Sequence, residues 1–307
     1  MSQPAVQSDI IEPQLNQTPE KKKGKSPLQL AFRRFIRNKM AIAGIIILTI
    51  ITLTSVFAPL IANHDPYATD LYNTRAEPSA DHWLGTDDSG RDLFSRLLYG
   101  GRISLLIGFA TMVGTVCIGA VVGALAGYYG RWIDAVVMRI SDVVLALPSL
   151  LLILFVVAIL PQSGAGILIL VLCLTVWPTT ARLVRAEFLS LREQEYVLSA
   201  RSIGAKDSRI IFRHMLPNTV APIIVNATLL MGSMITIEAA LSFLGFGVPE
   251  PTPTWGNMLN AARNFRILQN EPWVWMPPGF LIVLTVLSIN FIGDGLRDAF
   301  DTKSSRR

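Results

Sequence analysis

Five stretches of this chain contain no Asp, Glu, Lys or Arg: 40–64, 103–130, 143–181, 214–237 and 272–293. A hydrocarbon core about 30 Å thick needs roughly 20 apolar helical residues, so each stretch can hold at least one membrane span. The run 143–181 is too long for one, and Pro161-Gln162-Ser163-Gly164 interrupts it with turn-forming residues. The pattern predicts six spans, near 40–62, 103–127, 139–160, 165–183, 219–245 and 277–294. The expected fold class is therefore all-α, an integral membrane protein with six transmembrane helices. Around the spans lie a polar tail (1–39), a long loop (63–102), a charged loop (190–218) and a second tail (295–307).

Composition agrees with the pattern. Of 307 residues, 51% are hydrophobic and only 16% charged, which excludes an ordinary soluble domain. Mostly polar residues fill the chain up to Lys39, so no cleaved signal peptide is expected and the first span should remain as an anchor. Cys117 and Cys173 both fall inside apolar runs and are expected as packing residues without a disulfide.

Charge adds a direction. Of the 27 Lys and Arg residues, 6 fall in loops on one side: Arg75, Arg91, Arg96, Arg102, Arg263 and Arg266. The remaining 21 lie in the two tails, between the second and third spans, and from Arg182 to Arg213. The positive-inside bias places both termini and the charged loop in the cytoplasm. This sidedness explains the pI near 9.4 without a nucleic-acid partner. The tail over 1–26 reads as disordered. Its Gly24-Lys25-Ser26 imitates the end of a phosphate loop, but Pro19 stands where that motif needs glycine. Residues 28–39 place Leu30, Phe32, Phe35 and Ile36 among basic residues, as in an amphipathic helix lying on an anionic membrane surface or in a simple basic stop before the first span. The loop 63–102 is net acidic and could present a docking surface or simply cap the spans.

Within the spans, Gly119, Gly123 and Gly127 recur at a spacing of four and so share one helical face. They predict a close helix–helix contact. Pro148, Pro178 and Pro222 are expected to kink their helices. Asp142 and Glu238 are the acids that intrude on the spans. Arg139 stands three residues before Asp142, favouring local pairing over a proton relay. His64, His82 and His214 fall in separate segments without ligand spacing, so no metal site is expected. No Ser or Cys stands beside a plausible base, and no catalytic residue is expected.

The charged loop predicts a helix over Glu193–Ile203, stopped by Gly204 in the left-handed conformation. A second short helix is expected over Ser208–Met215, with Pro217 opening the next span. Such a projecting helix can seat in a partner's groove and carry its motion to the spans.

The pattern Ser199-Ala200-x-x-x-Gly204, followed by Leu216-Pro217, resembles the cytoplasmic EAA loop of bacterial ABC importers. Leu198, Ser199 and His214 depart from the family pattern, where glutamate, alanine and isoleucine stand, and Glu195 lies one turn earlier as a substitute acid. Beyond the loop, the chain is similar to the C-type permease subunit of dipeptide and oligopeptide ABC importers from about Leu28 to Asp301. The likeness rests on His82-Trp83-Leu84-Gly85-Thr86-Asp87, Gly90-Arg91-Asp92, Gly127-Tyr128-Tyr129-Gly130 with Asp134 and Met138-Arg139, and Leu241–Gly247. Trp255-Gly256 and Gly293–Asp298 complete it. The resemblance implies a type I ABC importer permease fold, with a permease core over 103–294, in the bacterial cytoplasmic membrane. It implies a non-catalytic subunit pairing with a homologous second permease subunit and two ATP-binding subunits. An extracytoplasmic binding protein or lipoprotein would deliver peptide. ATP and magnesium would sit on the partner subunits, with no cofactor here. In that family ATPase docking would fall to Glu195, Ser199, Ala200, Gly204, Ala205, Leu216 and Pro217. Nickel and glutathione importers share this permease type, and an ATP-independent secondary transporter is the alternative of a different class.

Overall fold

The structure, a computed structural model, describes residues 27–160 and 164–300. The tail with its Gly24-Lys25-Ser26 motif, the turn residues Pro161–Ser163 and the C-terminal residues from Asp301 onward lie outside the described residues. The helices are, in order, α1 (Pro27–Arg37), α2 (Lys39–Val56), α3 (Ala58–Ile61), α4 (Leu93–Tyr129), α5 (Arg131–Ala146), α6 (Ser149–Ile159) and α7 (Gly164–Arg192). There follow α8 (Glu195–Ser202), α9 (Asp207–Arg209), a π-helical turn (Ile210–Met215), α10 (Leu216–Phe243), α11 (Trp255–Asn260), α12 (Phe265–Asn270) and α13 (Pro272–Phe300). Among the described residues no strand forms beyond a single bridge between Thr86 and Asp92.

Among the described residues five helices are long and apolar enough to cross a membrane: α2, α4, α7, the continuous rod from α9 through α10, and α13. The predicted span at 139–160 is instead two helices, α5 and α6, bent by 89°. Leu147 and Pro148 at the break are extended, with ψ of 140° and 119°. Proline disfavours the helical conformation of the residue before it, so the chain turns there instead of kinking gently.

Helix directions show that this bent pair must carry the chain across. On α4, Gly119 faces Thr180, Gly123 faces Ala181 and Val184, and Gly127 faces Arg185 and Phe188 of α7, so the two helices run parallel. Two parallel neighbours need a return between them, and only α5 and α6 lie there. The remaining neighbours are antiparallel. Gly108 and Ser104 of α4 meet Ile235 and Glu238 of α10, and Gly44 of α2 meets Ser288 of α13. The path thus makes six crossings. The start of α2 and the end of α13 share one end of the bundle, where Asn38 reaches Asp298.

Element boundaries shift in two instructive places. α4 starts at Leu93, ten residues before the uncharged run, because Asp92 caps it: its Oδ2 accepts from the Ser95 N–H at 2.7 Å. At 37 residues α4 is roughly 55 Å long and projects beyond any bilayer core. α1 turns Phe35 onto Gly295 of α13 and leaves Leu30, Phe32 and Ile36 exposed.

Candidate functional site

The charged loop is built onto the ends of α4 and α7, which the glycine face has already brought together. At Gly119 an added Cβ would lie 2.6 Å from Thr180 Cβ, and at Gly127 2.6 Å from Phe188 Cβ. Above this contact a compact apolar cluster joins Ala124 and Tyr128 of α4 to Val184 and Phe188 of α7. It continues through Val197 and Ala200 of α8 to Ile210, Ile211 and Met215 of the π-helical turn. The loop therefore carries its own core, continuous with the ends of α4 and α7.

α8 ends in a Schellman motif. Gly204 takes φ of +75°, its N–H donates to the Arg201 carbonyl at 3.0 Å, and the Ala205 N–H donates to the Ala200 carbonyl at 3.1 Å. Ala200 and Ala205 supply the apolar contact that accompanies it. Polar clamps fix the outside: Tyr128 Oη donates to Asp207 Oδ1 at 2.6 Å, and the Arg201 guanidinium lies over the Tyr128 ring at 5.5 Å. Asn218 Nδ2 donates to the His214 carbonyl at 2.6 Å, on the following turn.

The seven residues that the resemblance nominated for docking separate into two groups. Glu195, Ser199, Gly204 and Pro217 are exposed, while Ala205 and Leu216 pack against the loop's own cluster. Ala200 is only 8% exposed and also turns inward, so its small side chain lets α8 sit close to its own protein. What faces outward is different: Ile203, 86% exposed, and Phe212, 68% exposed, with Tyr196 and Leu198 beside them. The signal for this was present as Val197 and Ala200 at i and i+3, which mark the inner face of so short a helix. The expected second helix over Ser208–Met215 is not separate. It runs through the π-helical turn into α10, and Pro217 stands in the first turn of α10, where its missing N–H costs nothing.

Ion pairs tie the bent pair to the same end. Arg185 of α7 pairs with both carboxylate oxygens of Asp134 on α5. Asp142 pairs with Arg182 of α7 at 2.6 Å, not with Arg139 as its spacing had implied; the partner comes from the neighbouring helix. Glu238 is fully buried towards the C-terminal end of α10. It accepts from Ser242 Oγ at 2.8 Å and Ser104 Oγ at 3.2 Å, and Ser104 Oγ in turn accepts from the Trp255 N–H at 3.1 Å. Cys173 is buried, with its thiol 3.5 Å from the Thr111 carbonyl oxygen, whereas Cys117 is exposed on α4.

At the opposite end of α4 the segment 63–92 folds into a cap with the 244–271 region. A cavity of about 540 Å³ opens there, lined by Arg75, Asp87, Arg91, Glu250, Asn257 and Glu271 among others. Arg91 Nε donates to Asp87 at 2.7 Å, and Arg91 also pairs with Glu250. Burial favours loss of the Arg91 proton, but Glu250 and Asp87 outweigh it and raise its pKa. Contrary to the sequence expectation of three unrelated histidines, His64 and His82 meet here, with ring centroids 4.6 Å apart beside Asp92.

Six crossings, a glycine-packed helix pair and one internally cored loop at a single end define a multi-pass membrane protein of the solute-permease class. A family model described as the binding-protein-dependent transport system inner membrane component matches residues 119–306. Another, the N-terminal TM domain of oligopeptide transport permease C, matches residues 26–78. The chain belongs to the binding-protein-dependent transport system inner membrane component family, and is a permease component of the C type in the inner membrane. It is 49% identical over 278 residues to the dipeptide transport system permease protein DppC of Alkalihalophilus pseudofirmus, covering 91% of this chain and 90% of that protein. It is 43% identical over 283 residues to the oligopeptide transport system permease protein OppC of Bacillus subtilis, covering 92% of each.

Proposed function

We propose that this chain is one half of the membrane pathway of an ATP-driven peptide importer, with the loop 190–218 as its docking element for an ATP-binding subunit. It is not an enzyme; ATP and magnesium act on the partner subunits. A homologous second permease completes the pathway, two ATP-binding subunits lie below, and an extracytoplasmic binding protein or lipoprotein delivers di- or oligopeptide. Both termini and the loop are cytoplasmic, supported by the 21 basic residues gathered at that end.

One observation carries the reading. The loop is rigid inside, through its apolar cluster and Schellman motif, yet presents Ile203 and Phe212 to the outside. Large apolar side chains held out from a charged segment suit a partner's groove, and a cored base transmits force to α4 and α7. The substrate class follows the names of the relatives, a dipeptide and an oligopeptide permease.

The test is uptake of labelled di- and oligopeptides by the purified importer in proteoliposomes. We expect uptake that needs ATP, stops with vanadate and survives a protonophore. Uptake driven by a proton gradient without ATP-binding subunits would make the chain a secondary transporter. ATP-dependent uptake of nickel or glutathione, with none of peptide, would overturn the substrate class.

A further inference from the structure

Three residues from distant parts of the outer segment converge on one point. His64 follows α3, His82 lies in mid-segment and Asp92 caps α4, yet their ligand atoms all lie within 4.8 Å of one another. His82 Nδ1 stands 2.9 Å and His64 Nδ1 3.8 Å from the same atom, Asp92 Oδ1. Donors on a tetrahedral zinc ion, at roughly 2.0–2.1 Å from the metal, are about 3.4 Å apart, a value these two distances bracket.

Besides the His82–Asp92 contact, bonds to other atoms hold the donors in place. The second Asp92 oxygen is engaged by the Ser95 N–H, which turns Oδ1 towards the imidazoles. The His82 backbone is fixed in a turn: its N–H donates to Ser79 Oγ at 3.0 Å, and its carbonyl accepts from the Ser79 and Gly85 N–H groups. The His64 N–H donates to Ser95 Oγ at 3.3 Å. A plain His82–Asp92 hydrogen bond accounts for one imidazole. It does not account for a second one brought to the same oxygen at a distance too long for a hydrogen bond.

The geometry points to a divalent transition-metal site, of zinc class, formed by His64, His82 and Asp92. Two imidazoles and one carboxylate suit zinc, cobalt, nickel or copper, whereas magnesium and calcium take oxygen donors. Asp92 is only 2% exposed at its side chain and His64 40%, so the open fourth position faces solvent and takes water. The ion would clip the segment 63–92 to the start of α4, joining by coordination what the sequence separates by 28 residues. The site stands at the opposite end of α4 from the docking loop and is independent of what the loop binds.

The test uses the importer free of any histidine tag, in lipid nanodiscs, titrated with Zn²⁺ by calorimetry and with Co²⁺ by visible absorption. The chain holds 3 histidines in all, which makes His214→Ala an internal control. We expect stoichiometric zinc binding, tetrahedral cobalt bands and a higher melting temperature with zinc in the wild type and in His214→Ala. All three should be lost in His64→Ala and in His64→Gln, whose solvent-facing position keeps both variants folded. Zinc binding that is absent from the wild type, or unchanged in the His64 variants, would overturn the proposal. So would an equal melting shift with Mg²⁺.

Discussion

At Gly123 an added Cβ would press on the Ala181 carbonyl oxygen and on Val184, whereas at Gly204 it would meet nothing within 4 Å. The first glycine supplies space and the second supplies a backbone angle, φ of +75°. Gly123→Leu should force α4 and α7 apart and cost on the order of 1–3 kcal/mol through overpacking, read as a lower melting temperature of the assembled importer. Gly204→Val should cost about 1–2 kcal/mol by holding a branched residue in the left-handed region, and Gly204→Asn clearly less, since asparagine visits that region. Equal effects of valine and asparagine would show that the Schellman turn does not govern the loop. Glu238 belongs to the same scale. Its partner Ser104 binds this part of α10 to α4 and, through Trp255, to α11, while Ser242 stands one turn on within α10. Glu238→Gln keeps an acceptor oxygen for one hydroxyl and offers the other an N–H donor that its oxygen can accept, and should retain uptake. Glu238→Leu leaves buried hydroxyls unmatched and should destabilise by about 1–3 kcal/mol for each. Loss of uptake in a stable Glu238→Gln would make this carboxylate a proton carrier instead.

For the helices, what could be read from sequence was whatever depends on neighbours along the chain. Uncharged runs marked α2, α4, α7, α10 and α13, glycine spacing marked the tight face of α4, and Gly204 marked the end of α8. What could not be read depends on residues far apart. Hydropathy treats α5 and α6 as one run because the 89° turn at Leu147-Pro148 leaves the apolar count unchanged. The partner of Asp142 comes from α7, 40 residues away, so local spacing pointed to Arg139. In α8, Val197 and Ala200 mark the inner face, but eight residues give little further periodicity, and a family pattern cannot say that Ile203 serves the outside. The meeting of His64, His82 and Asp92 has no signature in sequence, because an irregular loop makes it.

Across the whole molecule, α4 connects two ends with different tasks. Its N-terminal end anchors the outer cap through Asp92, which meets His82, and Arg96, which donates to the Pro66 carbonyl, and its C-terminal end carries the loop through Ala124 and Tyr128. With the start of α2 and the end of α13 at the loop's end, single cysteines in a background lacking Cys117 and Cys173 report the sidedness. Ala80→Cys should react with an impermeant thiol reagent on intact cells, and Ser208→Cys only after lysis; the reverse pattern would invert the topology. The central claim is that Ile203 and Phe212 seat the loop in an ATP-binding subunit, and that α4 and α7 carry its motion into the membrane. The double variant Ile203→Glu with Phe212→Glu tests it most directly, because both side chains point away from the chain's own core. In the reconstituted importer we expect peptide uptake and substrate-stimulated ATP hydrolysis to be lost while the two membrane subunits remain paired. Wild-type uptake with tightly coupled hydrolysis in that variant would contradict the claim.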